Sequence, residues 1–244
     1  MSIELAIKLS SSVSVRSTGF EEGKAFLQEF IEQLEIGPQR TRVSLLTFGD
    51  GVYVRDGFNL TTYATKDQMI EAIKRVPFRS GRLTATGKAI DYMRSKQLDE
   101  TKVRPGVQKV CIVITDGNSQ EGNKTKEAAK KARSDNIIMY AVAVGEYIND
   151  PELASITGNV KDRVAKVSNY TQLKTIQEKL VNMICRQVRV SCGERSATDV
   201  LFVFDPRALV NHLTTRAIRF VSQTQREQLG FEYYGVFSCP EDVR

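Results

Sequence analysis

Three short stretches of this chain carry the residue types from which a polar binding site could be built. Thr115-Asp116-Gly117-Asn118-Ser119 follows the apolar run Val110-Cys111-Ile112-Val113-Ile114. A buried strand thus delivers one carboxylate at its carboxyl end, ahead of glycine and small polar residues, which is how an open α/β sheet presents a site at its rim. Ser10-Ser11-Ser12-Val13-Ser14 follows the first apolar run, and Thr84-Ala85-Thr86-Gly87 precedes a later helix. Taken singly, serines after a strand are a solvated turn, Asp-Gly is a turn, and threonines start a helix. Only their joint order makes a site, and its chemistry would be binding by hydroxyl and carboxylate oxygens. His212 is the only histidine and no Cys-x-x-Cys pattern occurs, so histidine catalysis and structural zinc have little to work with. A dinucleotide enzyme would need a glycine-rich loop after the first strand, and Ser10 to Ser14 contains no glycine.

The elements that must position these loops alternate. Leu5–Leu9 reads as a first strand, and Thr18 with Glu21 has the form of a capping box for a helix that Gly37-Pro38 ends. Val43–Phe48 is a second strand, and the turn Gly49-Asp50-Gly51 is tight enough to return Val52–Val54 antiparallel beside it. Thr65 with Gln68 starts a helix closed by Pro77, and Thr84–Lys96 reads as another. After the strand Val110–Ile114 come a lysine-rich helix at Lys124–Arg133 and the continuous apolar strand Ile137–Val144. A short helix near Glu152–Ile156, a strand Val164–Val167 and a helix Gln172–Ile184 complete the unit. This alternation predicts an α/β fold, a doubly wound and mostly parallel sheet with helices on both faces.

Residues 199–205 then repeat the pattern of residues 4–10, and helix-like and strand-like stretches follow, so the chain is expected to carry the start of a second such repeat. The expected organisation is a domain over 1–190, a linker over 191–198 and a partial β-α-β repeat over 199–244. Asp205 stands where the first loop begins, but Pro206-Arg207-Ala208-Leu209 replaces the serines, so no complete site is expected there.

Hydrophobic residues at 41% are enough for a sizeable core. The net charge of +6 fits an anionic partner, but a merely soluble basic protein is the preferred reading. The lysine-rich helix reads as a solvated face. No stretch approaches the roughly 18 apolar residues of a membrane span, so no membrane insertion is expected. Cys111 lies in an apolar strand as a buried thiol, whereas Cys185, Cys192 and Cys239 are disulfide candidates near domain ends. Asn59, Asn123 and Asn169 head Asn-x-Thr triplets and are glycosylation candidates, tilting the reading toward a secreted history.

With these residues in view the chain resembles a von Willebrand factor A domain. Ser10-Ser11-Ser12-Val13-Ser14-Val15 with Phe20-Glu21 and Lys24-Ala25-Phe26-Leu27 is similar to the first strand, metal loop and first helix of that family. Ser80–Ile90 resembles its threonine loop, and Val113-Ile114-Thr115-Asp116-Gly117 its aspartate loop. Tyr140–Gly145 is similar to its fifth strand, and the match covers roughly residues 3 to 185. The general character is that of the extracellular matrix branch, as in matrilins, collagen VI and byssal thread proteins.

The resemblance implies a metal-ion-dependent adhesion site, an Asp-x-Ser-x-Ser motif with a loop threonine and a second aspartate around Mg²⁺ or Mn²⁺. Carried over, Ser12 and Ser14 would be direct ligands, Thr84 the loop ligand, and Asp116 a carboxylate acting directly or through water. The motif's first aspartate falls on Ser10, which removes one of two negative charges and should lower cation affinity. The implied function is a non-enzymatic, secreted matrix or adhesion module with matrix proteins such as collagen as partners, and with no nucleic acid. The rival is an intracellular subunit of a multiprotein assembly built on the same domain, which would keep its cysteines reduced and its sequons unused.

Overall fold

The computed structural model describes residues 2–116, 119–145 and 148–194, with side chains to residue 185. The strands are β1 (Ile3–Ser10), β2 (Arg42–Phe48), β3 (Val52–Phe58), β4 (Gln108–Thr115), β5 (Ile137–Val144) and β6 (Val164–Val167). The helices are α1 (Arg16–Glu32), α2 (Lys66–Lys74), α3 (Thr86–Tyr92), α4 (Gly122–Ser134), α5 (Asp150–Thr157) and α6 (Gln177–Glu194). The strands form one sheet in the order β3-β2-β1-β4-β5-β6, parallel throughout except for the β2–β3 hairpin. This is the expected doubly wound architecture, a mostly parallel sheet with helices on both faces.

Strands β1, β4 and β5 are buried along their whole length or nearly so, which is why they read as unbroken apolar runs. One face of the sheet presents Ala6, Cys111, Val113, Met139, Ala141 and Ala143 to Ala89, Ile90 and Met93 of α3, to Ala128, Ala129 and Ala132 of α4, and to Leu153 and Ile156 of α5. The opposite face meets α1 and α6. The side chain of Leu9 lies against Gly23 of α1, and the Tyr140 hydroxyl donates to Met183 O of α6 at 3.0 Å.

Several expected details changed. The capping box at Thr18 does not form. Instead a 3₁₀ turn, Val13–Val15, leads directly into α1 at Arg16, with Val15 in the cap position and no side-chain cap, so Thr18 is an exposed helical residue. The loop that opens the helix has already turned the chain with Arg16 at φ 59°, so no later cap is needed. The cap at Thr65 does form, its side chain accepting from Gln68 N while Gln68 Oε1 accepts from Ala64 N. The helix expected over Thr84–Lys96 is α3 followed by a π-helical turn, Met93–Gln97. The π turn aims Gln97 at Lys8, a fully buried lysine in the middle of β1, whose ammonium donates to Gln97 Oε1 and to Ile7 O. A 3₁₀ segment, Tyr170–Ile176, capped by Asn169, precedes α6.

The N-terminal edge of the sheet is tied by Glu4, whose buried carboxylate accepts from Arg42 Nε and Nη2 at 2.8 and 2.6 Å and from Arg104 Nε at 2.7 Å. Cys111 is a buried free thiol, and Cys185 is disulfide-bonded. Cys185 and Cys192 do not flank a loop, because α6 continues through both. Seven helical residues rise about 10 Å, more than the roughly 7 Å that a disulfide spans between Cα atoms. Helix α6 also runs to Glu194, into the stretch expected as a linker. Residues 195–198, Cys239, Asp205 and the expected partial repeat over 199–244 lie outside the described residues.

Candidate functional site

Strand order places the site. The chain winds outward from β1 through β2 to β3, then returns to lay β4 on the other side of β1, so the connections diverge between β1 and β4. Crevices at such a switch point, beyond the carboxyl ends of the strands, are where open α/β sheets bind ligands. The register pairs Leu9 with Ile114, so Ser10 to Ser14 and Asp116 leave the sheet side by side.

The hydroxyls there form a chain. Ser10 Oγ lies 3.0 Å from Ser12 Oγ, and Ser12 Oγ lies 3.0 Å from Ser14 Oγ. Ser12 and Ser14 both donate to Asp116 Oδ1, at 3.5 and 3.3 Å. Ser10 and Ser12 are buried, whereas Ser14 is exposed and Asp116 half-buried, so the group opens to solvent on the Ser14 side. Burial raises the pKa of Asp116, opposed by hydrogen bonds from Ser14, its own backbone and Ser12.

Backbone hydrogen bonds hold the threonine loop against the serine loop. Ser11 N donates to Phe48 O at 2.7 Å, Gly81 N to Ser11 O at 2.9 Å, and Val13 N to Gly81 O at 2.7 Å. A Cβ on Gly81 would stand 2.9 Å from Gly49 Cα and 2.6 Å from the Tyr53 hydroxyl, so the threonine loop and the β2–β3 turn approach at a distance that only glycine permits. Thr84 is buried at this junction, and its N–H donates to Gln120 Oε1 at 2.6 Å. Its hydroxyl makes no hydrogen bond among the described residues. The structure therefore brings Ser10, Ser12, Ser14 and Asp116 into contact, with Thr84 in the adjoining loop.

Sequence reasoning missed four supports. Asp50 Oδ1 accepts from Leu83 N at 2.8 Å, and Gln120 bridges the aspartate loop to Thr84. Glu152, buried at the start of α5, accepts from Ser119 N at 3.0 Å, and Tyr170 packs beneath α1. Nothing local in the sequence marks Glu152 or Tyr170, because only the fold brings their elements to this rim.

The residues present can be tested against a divalent cation. All the donors are hard oxygens, as Mg²⁺ or Mn²⁺ requires, and the partly desolvated Asp116 has no cationic partner among the described residues. Among the described residues no cluster of three His, Cys, Asp or Glu side chains occurs. The set fits a dication in kind, with one carboxylate where the family motif has two.

Comparison with known proteins gives a consistent picture. The family model described as von Willebrand factor type A domain matches residues 4–179. Matrilin-1 of Gallus gallus is 32% identical over 188 residues, covering 75% of this chain and 37% of that protein. Integrin alpha-2 of Bos taurus is 39% identical over 127 residues, covering 52% of this chain and 11% of that protein. The chain thus spans less than two fifths of the length of these relatives. Among solved structures, proximal thread matrix protein 1 of the mussel byssus, with a zinc-occupied MIDAS motif, superposes with a TM-score of 0.70 at 20% identity, over 76% of this chain and 48% of that one.

Proposed function

Because this chain belongs to the von Willebrand factor type A family, we propose that it is a non-enzymatic binding module of an extracellular matrix or adhesion protein. Its partners are matrix chains such as collagen, engaged at the rim where Ser12 and Ser14 meet Asp116, with Thr84 in the adjoining loop. The observation that carries this reading is the convergence of the Ser12 and Ser14 hydroxyls on Asp116 at the switch point of the sheet. Ser12, Ser14 and Asp116 would hold a Mg²⁺ or Mn²⁺ ion, with Thr84 supplying a further oxygen from the loop beside them. A bound dication supplies a Lewis-acidic position that takes a carboxylate from the partner. The protein's own contribution is to hold the oxygens in place, which the backbone ties between Ser11, Val13 and Gly81 accomplish.

Similarity to matrilin-1 and integrin alpha-2 supports the matrix setting, as does the disulfide at Cys185. Cys239 is the partner this reading favours, since helix α6 separates Cys185 from Cys192. Asn59, Asn123 and Asn169 are all exposed, which suits glycan attachment in a secreted protein.

The replacement of the motif aspartate by Ser10 makes a sharp test. A neutral hydroxyl cannot match the Coulomb attraction of a carboxylate for a dication. Calorimetric titration with Mn²⁺ should show tighter binding by Ser10→Asp than by the parent, by about tenfold or more, and no binding by Asp116→Ala. Equal affinities in all three proteins would show that these loops are not a cation site.

A further inference from the structure

Three consecutive backbone N–H groups of the threonine loop each find an acceptor outside it. Leu83 N donates to Asp50 Oδ1 at 2.8 Å and Ala85 N to Gly49 O at 2.8 Å, so these two anchor the loop to the β2–β3 turn. Between them, Thr84 N donates to Gln120 Oε1 at 2.6 Å. Among the described residues this is the only hydrogen bond that joins residues 80–86 to the segment after Asp116.

Gln120 is an exposed residue, yet its amide reaches in to Thr84, which is 4% exposed. Only the amide oxygen can accept an N–H, so the donor fixes which way the side chain faces. The base of that side chain is fixed as well. Ser119 N donates to the buried Glu152 at 3.0 Å, Thr125 Oγ1 to Ser119 Oγ at 2.9 Å, and Thr125 N to Glu121 O at 3.0 Å. The residues on either side of Gln120 are therefore tied to α4 and α5, and its side chain spans from that base to the loop opposite. Asp116 stands four positions before it in the same segment. A small dication takes its oxygens at about 2.0–2.1 Å in near-octahedral array, so affinity depends on the spacing of ligands that different loops supply.

We propose that Gln120 is a positioning residue of the cation site, a strut that accepts the Thr84 N–H and so sets the separation of the Thr84 hydroxyl from Asp116. The inference rests on the cation reading above, and adds that Thr84 serves the site only while Gln120 holds it.

The test is a double-mutant cycle of the parent, Gln120→Ala, Thr84→Ala and the double variant. Each is titrated with Mn²⁺ by calorimetry and unfolded with urea in the absence of divalent cation. Gln120→Ala is expected to bind Mn²⁺ about fivefold or more weakly, the equivalent of one hydrogen bond, with little change in its urea midpoint because the side chain is exposed. Thr84→Ala should also bind more weakly, and the double variant no more weakly than Thr84→Ala, since the strut then has no hydroxyl to position. A parent that binds Mn²⁺ alongside a Gln120→Ala that binds it equally well would overturn the inference and leave the cation reading standing. Losses that add in the double variant, or a Thr84→Ala that binds as the parent does, would show that Gln120 does not act through Thr84 and likewise overturn it. A parent that binds no Mn²⁺ would remove the cation reading and the role of Gln120 together.

Discussion

At the residue scale, single atoms decide whether loops and strands close. Gly57 lies in β3 opposite the register shift between Leu45 and Thr47, and a Cβ there would stand 2.0 Å from Leu45 O and 2.9 Å from Leu45 C. Both neighbours are backbone, so no side-chain rotation relieves the overlap, and β3 would have to leave its hairpin partner. Gly57→Ala is expected to destabilise the domain by about 2–4 kcal/mol, read as a lower urea midpoint. Gly51, in the same hairpin, has open space where a Cβ would go, and Gly51→Ala should change stability by less than about 1 kcal/mol. Similar effects of the two substitutions would mean that the hairpin pairs differently. Ser10 belongs to the same scale. Its hydroxyl joins the chain of serines as a neutral link, and one carboxylate carries the whole negative charge of the hydroxyl cluster.

At the scale of elements, polar side chains tie parts of the chain that apolar packing alone would leave loose. Glu4, buried in β1, accepts from Arg42 of β2 and from the side chain and backbone N–H of Arg104 before β4. Arg104 in turn donates to Pro38 O at 3.0 Å and Arg40 O at 2.6 Å, so one carboxylate organises two loops below the sheet. Glu4→Gln removes the charge but keeps the shape. It is expected to cost about 2–4 kcal/mol in urea unfolding, less than a wholly buried pair because both arginines keep some contact with solvent. No change in stability would mean that the arginines are satisfied by the loop carbonyls alone.

For the whole molecule, buried titrating groups set how stability depends on pH. Burial lowers the pKa of Lys8 to about 8, with a smaller opposing effect from Cys111, and raises that of Cys111 to about 12. Between pH 8 and the unfolded value of 10.5 the unfolded chain holds more protons at Lys8 than the folded one, so stability rises with pH in that window. Above the unfolded thiol value of 9.0 the folded state retains the Cys111 proton that the unfolded chain loses, so this term makes stability fall. The buried phenols of Tyr140 and Tyr170, both raised by burial, add to the fall above pH 10. Unfolding free energy should therefore increase from pH 7.5 to 9 and level off before declining. In Cys111→Ala the rise should continue further toward pH 10. A profile that falls steadily from pH 7.5 would show that Lys8 is charged and well satisfied in the folded state.

The sequence by itself determined the secondary structure around the site and the order of its motifs. Alternating apolar runs and helical spacing suffice for a parallel sheet covered on both faces, and the serines of residues 10–14, Thr84 and Asp116 were legible as loop residues because they sit at the ends of those runs. The details it misplaced were local preferences overridden by neighbours. Thr18 could not cap α1 because the Val13–Val15 turn had already started the helix, and the third helix widened into a π turn that brings Gln97 to Lys8. What the tertiary structure alone decided was proximity. Gln120 and Thr84 are 36 positions apart, Ser119 and Glu152 are 33 apart, and Tyr170 reaches α1 from the far end of the domain. Such contacts depend on strand order and register, which are set by the packing of the whole sheet and leave no periodic trace in the residues that make them.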